Sequence, residues 1–151
     1  MQYMIRVTAN EGISESRIPV IELDGIRDKA VNGKIQHIHF FIDTIQENVS
    51  DRSNSILNKL ELKISIDKAT NQACKDFMDW ALISMGQGIK RTVDIEIQDS
   101  NAVLLRSFHL KEMFVEDFKE EYEGEETYFI IKLTQTQGYS SEFEHDTSSL
   151  I

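Results

Sequence analysis

The sequence predicts a mostly β domain of the α+β class, an antiparallel β-barrel or sandwich of about seven strands with one central α-helix. Three observations carry this. Apolar and polar residues alternate cleanly through 60–66 and 93–98, turn-forming residues separate such stretches, and a single stretch, 70–84, has helical spacing.

Strand patterns run through residues 17–23, 35–45, 57–66, 90–98, 103–109, 112–120 and 127–136. In the third, Leu60, Leu62, Ile64 and Ile66 face one way while Glu61, Lys63 and Ser65 face the other, the signature of a half-buried strand. Val93, Ile95 and Ile97 repeat it against Asp94, Glu96 and Gln98. Tyr128, Phe129, Ile130, Ile131 and Leu133 are too apolar for a strand with one wet face, so that strand is expected at the centre of the sheet or under a neighbouring subunit. Asp99–Asn101 and Glu123-Gly124 read as tight turns, and strands adjacent in sequence are expected to pair.

The helix 70–84 (TNQACKDFMDWALIS) places Ala73, Phe77, Trp80, Ala81 and Ser84 on one stripe. Phe77 and Trp80 are therefore its expected core anchors. Asp67 or Thr70 can cap its start, and Gly86 and Gly88 are expected to end it.

A length of 151 residues supports one domain with a working core, and 8 Phe, 4 Tyr and 1 Trp provide its large pieces. One domain is expected over 1–138, because no linker composition interrupts it. Residues 139–151 (YSSEFEHDTSSLI) are polar and aperiodic, and read as an acidic flexible tail.

The net charge of −10 is local. Residues 112–126 hold eight acids against Lys119, and the tail adds Glu142, Glu144 and Asp146, which leaves the rest of the chain neutral. A chain without a basic stripe is a poor binder of nucleic acid, so no nucleic-acid partner is expected. No apolar run reaches bilayer length, and the first residues lack the layout of a secretory leader. No membrane association is expected, and synthesis in the cytoplasm is; the one cysteine, Cys74, cannot form an internal disulfide.

Possible chemistry is sparse. His37 and His39 share a strand face and could bind a metal with a third ligand such as His109, but no Cys pair, HExxH motif or carboxylate partner is expected near them, and two histidines on a polar face are the expectation. The run 112–126 lacks the spaced ligands and central glycine of a calcium loop, so Glu116, Asp117, Glu120, Glu121, Glu123, Glu125 and Glu126 read as a solvated acidic hairpin. Cys74 lies near a helix start, where a reactive thiol is conceivable, yet a small buried side chain is the plainer reading. No nucleophile turn or phosphate loop is present. No catalytic residue, metal or cofactor is expected, and the chain reads as a non-enzyme.

From residue 35 onward the elements run in a distinctive order: a strand (IQHIHFFIDTI), a polar loop (QENVSDRSNS), an alternating strand (LNKLELKISIDKAT), an aromatic helix (KDFMDWALIS), then closing strands including VLLRSFHLKEMFVEDFKEEY and TYFIIKLTQTQG. This order resembles the tube protein of type VI secretion systems, the haemolysin-coregulated protein (Hcp), and the tail-tube proteins of contractile phages and injection machines. The resemblance covers about residues 35–138. It implies a structural subunit forming stacked hexameric rings, the inner tube of such a machine, with sheath, spike or effector proteins as further partners. It also implies secretion or injection as part of the tube. The loop 46–56, with Glu47, Asp51, Arg52 and Asn54, would reach the adjacent ring. From a different class, a monomeric β-sandwich module could use its acidic hairpin to dock a basic partner.

Overall fold

The computed structural model describes residues 1–10, 18–45 and 52–147, with the side chains of 52 and 53 excepted. The elements are β1 (Gln2–Ala9), β2 (Ile21–Asp24), β3 (Ile35–Thr44), α1 (Arg52–Ser55), β4 (Ile56–Ser65), α2 (Asn71–Leu82), β5 (Arg91–Gln98), β6 (Leu104–Glu123), β7 (Glu126–Gln135) and β8 (Phe143–Thr147). All eight strands join one antiparallel sheet in the order β2-β1-β5-β6-β7-β4-β3, with β8 paired to β6. Within the described residues β2 and β3, at the two ends, do not pair, so the sheet is open rather than a hydrogen-bonded barrel.

Pairing in sequence order holds for β1 with β2, β3 with β4, and β5 through β7. It fails at β1 with β5 and β4 with β7, where long-range apolar register decides instead. Leu60, Leu62 and Ile64 lie opposite Leu133, Ile131 and Phe129, and all six are fully buried. Ile5 and Val7 face Ile95 and Val93 in the same way. Cross-strand apolar pairs of this kind are the unit of sheet stabilisation, and two consecutive strong ones outweigh the convenience of a short loop. The doubly apolar stretch of β7 accordingly sits between β6 and β4 in the interior of the sheet.

Four expectations need correction. The N-terminal residues form a strand, β1, whose Ile5 and Val7 are core. The patterns 103–109 and 112–120 belong to one strand, β6, which changes partner midway: its first half lies beside β5 and its second beside β7. Glu112, at φ 61, marks the change. Residues 143–147, expected in a loose tail, form β8, which continues the track of β7 along β6, from Leu110↔Phe143 to Arg106↔Thr147. Phe143 explains this, since its ring packs on Phe40 and Phe108 at 5.3 and 6.0 Å and ties the strand to the core. Finally, α2 ends at Ile83, which is extended and donates its N–H to Trp80 O, so neither glycine caps the helix. Gly88 serves the following loop, where its φ of 94 and the Ile18 and Ile83 methyls beside it leave little room for a side chain.

The short turn α1 was not expected as helix; it falls in the predicted loop. The two tight turns are as expected. Asp99 Oδ1 accepts from Asn101 N and Val103 N at 2.8 and 3.0 Å, and Gly124 (φ 61) turns β6 into β7 with Glu123 paired to Glu126. The core forms one cluster, and α2 closes it by spanning β2 and β6.

Candidate assembly surfaces

Two aromatic side chains fix α2 to the sheet. Phe77 and Trp80 are buried; Phe77 packs on Phe129 with ring centroids 5.6 Å apart, and Trp80 Nε1–H donates to Ile89 O at 2.7 Å. The Arg91 guanidinium lies 5.0 Å from the Trp80 ring, and its Nε donates to Gly88 O at 2.9 Å. Burial pulls the Arg91 pKa down to about 10, which leaves it charged at neutral pH and usable as a cation over the indole. Ala73 and Cys74 are buried beside Phe77 and Trp80, while Ala81 of the expected stripe is half-buried and Ser84, beyond the end of the helix, is exposed.

Cys74 is buried on the same helix, and its Sγ–H donates to Glu120 Oε1 at 2.9 Å. Burial, then the Glu120 carboxylate, pushes the thiol up to about 12, the reverse of what a helix start would do to a reactive cysteine. Cys74 is a packed, protonated side chain.

The first exposed apolar surface is the outer half of β3. Phe41 and Ile42, adjacent and therefore on opposite faces, are 45% and 56% exposed, and Ile45 just beyond is exposed too. Because β3 ends the sheet, its second edge pairs with no strand among the described residues. An open edge carrying exposed phenylalanine and isoleucine invites another chain. A second apolar surface follows α2, where Leu82 and Met85 are 72% and 80% exposed. Met78, Ala81 and Leu82 form a groove there with Val115 and Phe118 of β6.

The acidic hairpin exists and divides in two. At its base, Glu116 accepts from Thr134 Oγ1 at 2.6 Å and pairs with Lys59 at 3.5 Å; the Thr134 hydrogen bond, more than the lysine, holds its carboxyl below the usual range. Glu120 accepts from Cys74 and Tyr122, while Glu121 pairs with Lys119 at 2.8 Å and accepts from Tyr128. At the tip, Glu123, Glu125 and Glu126 are exposed, with no salt bridge among the described residues; Asp117, on the outward face, is exposed too. A bulge between Val115 and Asp117 shifts the register so that Phe118, three residues after Val115, still reaches the core against Phe129 at 5.8 Å.

Glu47 and Asp51 of the predicted contact loop lie outside the described residues, as do 46–51 as a whole. Arg52 opens α1, and Asn54 is exposed on it with its Oδ1 beside Gly138.

The three histidines considered as one metal set separate. His109 Nδ1 pairs with Asp94 across β5 and β6. His37 and His39 instead meet Glu61 of β4, a partner that spacing did not suggest because it rests on the pairing of residues 22 positions apart, His39↔Glu61.

No family model matches the chain, and no curated protein matches it by sequence. Solved structures do match it in fold. Hcp1 of Flavobacterium johnsoniae superposes with a TM-score of 0.52 at 6% identity, covering 96% of this chain and 99% of that one. The Hcp1 protein of E. coli EAEC 042 gives 0.53 at 8% identity, covering 97% and 99%. A chain of the sheath-tube complex of an extracellular contractile injection system, PVC, in its extended state, gives 0.51 at 12%, covering 97% and 88%. The likeness extends over nearly the full length of each, including β1 and β8, which the sequence resemblance left out.

Proposed function

We propose that this chain, which has the Hcp fold, is a structural subunit that assembles with its own copies into hexameric rings stacking as the inner tube of a contractile injection or type VI secretion-like machine. The observation that carries the reading is the open edge of β3, where Phe41 and Ile42 are exposed on a strand paired along its other side over its whole length. A second copy would cover those side chains and the edge together. The likeness in fold to a chain of a sheath-tube complex supports a tube as the product. The role is structural rather than catalytic, and sheath, spike or effector proteins are the further partners this reading names. The chain would be made in the cytoplasm and leave it as part of the tube. The one-domain body with an acidic C-terminal segment fits such a subunit, and residues 143–147 of that segment are strand β8.

Within this reading the loop 46–56, through Glu47, Asp51, Arg52 and Asn54, contacts the next ring, where polar contacts set register more than affinity. Reversing Asp51 and Arg52 together should shorten tubes without altering subunit melting. The acidic hairpin tip then faces solvent or a basic partner. A monomeric module docking through that hairpin is the less favoured reading, since it gives the exposed β3 edge nothing to do.

Light scattering decides between them. A ring former should report a multiple of 17.4 kDa, and negative-stain images should show rings. A clean monomer at high concentration and physiological salt would overturn the tube reading.

A further inference from the structure

On the outward face of β3 and β4, three side chains from the two strands converge on one point. His37 Nε2 lies 3.0 Å from Glu61 Oε2, and His39 Nδ1 lies 3.3 Å from the same oxygen. The two imidazoles are stacked with centroids 3.8 Å apart and planes 5° from parallel. One ligand atom from each residue falls within 4.8 Å of the others.

We propose that His37, His39 and Glu61 form a binding site for a first-row transition-metal dication such as zinc, with a remaining position open to water. The donor set is two imidazole nitrogens and one carboxylate oxygen, which suits zinc, nickel or copper rather than magnesium or calcium. The size fits as well. Around a tetrahedral zinc with bonds of about 2.0–2.1 Å, neighbouring ligand atoms stand about 3.3 Å apart, close to the two separations to Glu61 Oε2, and one imidazole turns out of the stack so that the metal lies in the plane of both rings.

The backbone keeps the three side chains together. His37 and His39 are two apart on one strand and so share a face, while the β3–β4 register puts Glu61 directly opposite His39. Both partners belong to paired strands rather than loops, and Glu61 and His37 are only partly exposed. The more exposed His39 leaves the solvent side of the site for water.

The surrounding charges limit the affinity. Lys63 stands opposite His37 in the β3–β4 register and Lys132 opposite Glu61 in the β4–β7 register, and Lys119 also acts on Glu61, so three cations oppose an incoming dication. Their repulsion weakens the site relative to the same ligands on a neutral surface. This site does not rest on the tube reading, because its three ligands come from one chain.

The test is titration calorimetry of tag-free protein, stripped with chelator and exchanged into chelator-free buffer, with zinc chloride as the probe. One equivalent should bind, and His37→Gln, His39→Gln and Glu61→Gln should each weaken binding at least tenfold. His109→Gln, on the other pair of strands, should leave it unchanged. Thermal melts of the metal-free variants check that each is folded, and cobalt absorption in the visible reports whether the bound metal is four-coordinate. The proposal is overturned if the native chain takes up no stoichiometric zinc, or if all three variants bind within tenfold of it.

Discussion

Strands β3 and β4 are hydrogen-bonded to each other along their whole length, have ten residues each and are similarly apolar, yet they meet opposite fates. In β4 every second residue from Asn58 to Ile64 is buried, and Leu60, Leu62 and Ile64 are completely so. In β3 the last four residues are exposed, Phe41 and Ile42 among them. The difference lies in neighbours and in pattern. β4 has β7 on its far side and a strict period of two; β3 ends the sheet and places apolar residues side by side, which no single buried face can satisfy. Strict alternation in β4 marks a strand whose apolar face the subunit itself buries, whereas the adjacent apolar pair near the end of β3, on a strand with no second neighbour among the described residues, stays exposed.

The buried side of this contrast should show the largest energies. Phe77→Ala or Trp80→Ala should each destabilise the subunit by about 3–5 kcal/mol, measured by urea unfolding, because each removes a large buried ring and Trp80 also loses its bond to Ile89 O. A loss under about 1 kcal/mol at both would mean that the helix is not the anchor of the core. Next, Leu62→Ala should cost about 2–5 kcal/mol, whereas Ile42→Ala, on the paired strand, should cost less than about 1 kcal/mol. Equal losses would erase the distinction between the two strands. The sharper form is Phe41→Asp with Ile42→Asp: subunit melting nearly unchanged, ring mass lost in light scattering. Rings that persist would move the interface elsewhere.

Cys74 extends the buried side into pH. A thiol titrating at about 12 in the fold and near 9 when unfolded keeps its proton in the folded state through that interval, while the unfolded chain releases it. Stability is thus unaffected by Cys74 below about pH 9 and falls as pH rises from there toward 12. Cys74→Ala should flatten that alkaline decline, and Ellman's reagent at pH 8 should label native Cys74 only as fast as the protein opens. Rapid labelling under native conditions would contradict the burial.

What the sequence made legible follows the same division. Alternation located β4 and β5, the doubly apolar run placed β7 inside the sheet, and the helix stripe identified Phe77 and Trp80. β1 was equally readable in principle, with Ile5 and Val7 two apart, but Met4 on its other face is also buried and blurs the period. β8 had no local signal. Its sequence FEHDT is polar apart from Phe143, and the distant ring cluster with Phe40 and Phe108, the edge of β6 and the Arg106–His145 hydrogen bond hold it. The His37–His39–Glu61 cluster was half legible, since the i, i+2 histidines stand in the sequence while Glu61 depends on a register no spacing reveals.

The smallest expected effect separates the two halves of the acidic hairpin. Glu116 at its base is held ionised by Thr134 and Lys59, so its carboxyl titrates below its ordinary value. A carboxylate whose pKa falls on folding stabilises the fold above its unfolded pKa, and that contribution is lost as pH drops through the folded one. Glu116→Gln should therefore remove part of the acid-limb dependence of stability. The residue is about half exposed, so the change at neutral pH should be no more than about 1 kcal/mol, the range of surface pairs. Glu125 at the tip has no such partner among the described residues, and Glu125→Gln should leave both melting and its acid limb unchanged within about 0.5 kcal/mol. Thermal melts from pH 3 to pH 7 on the two variants make the comparison. If both shift the acid limb alike, the hairpin acts as one diffuse negative field, and the division into a bonded base and a free tip fails.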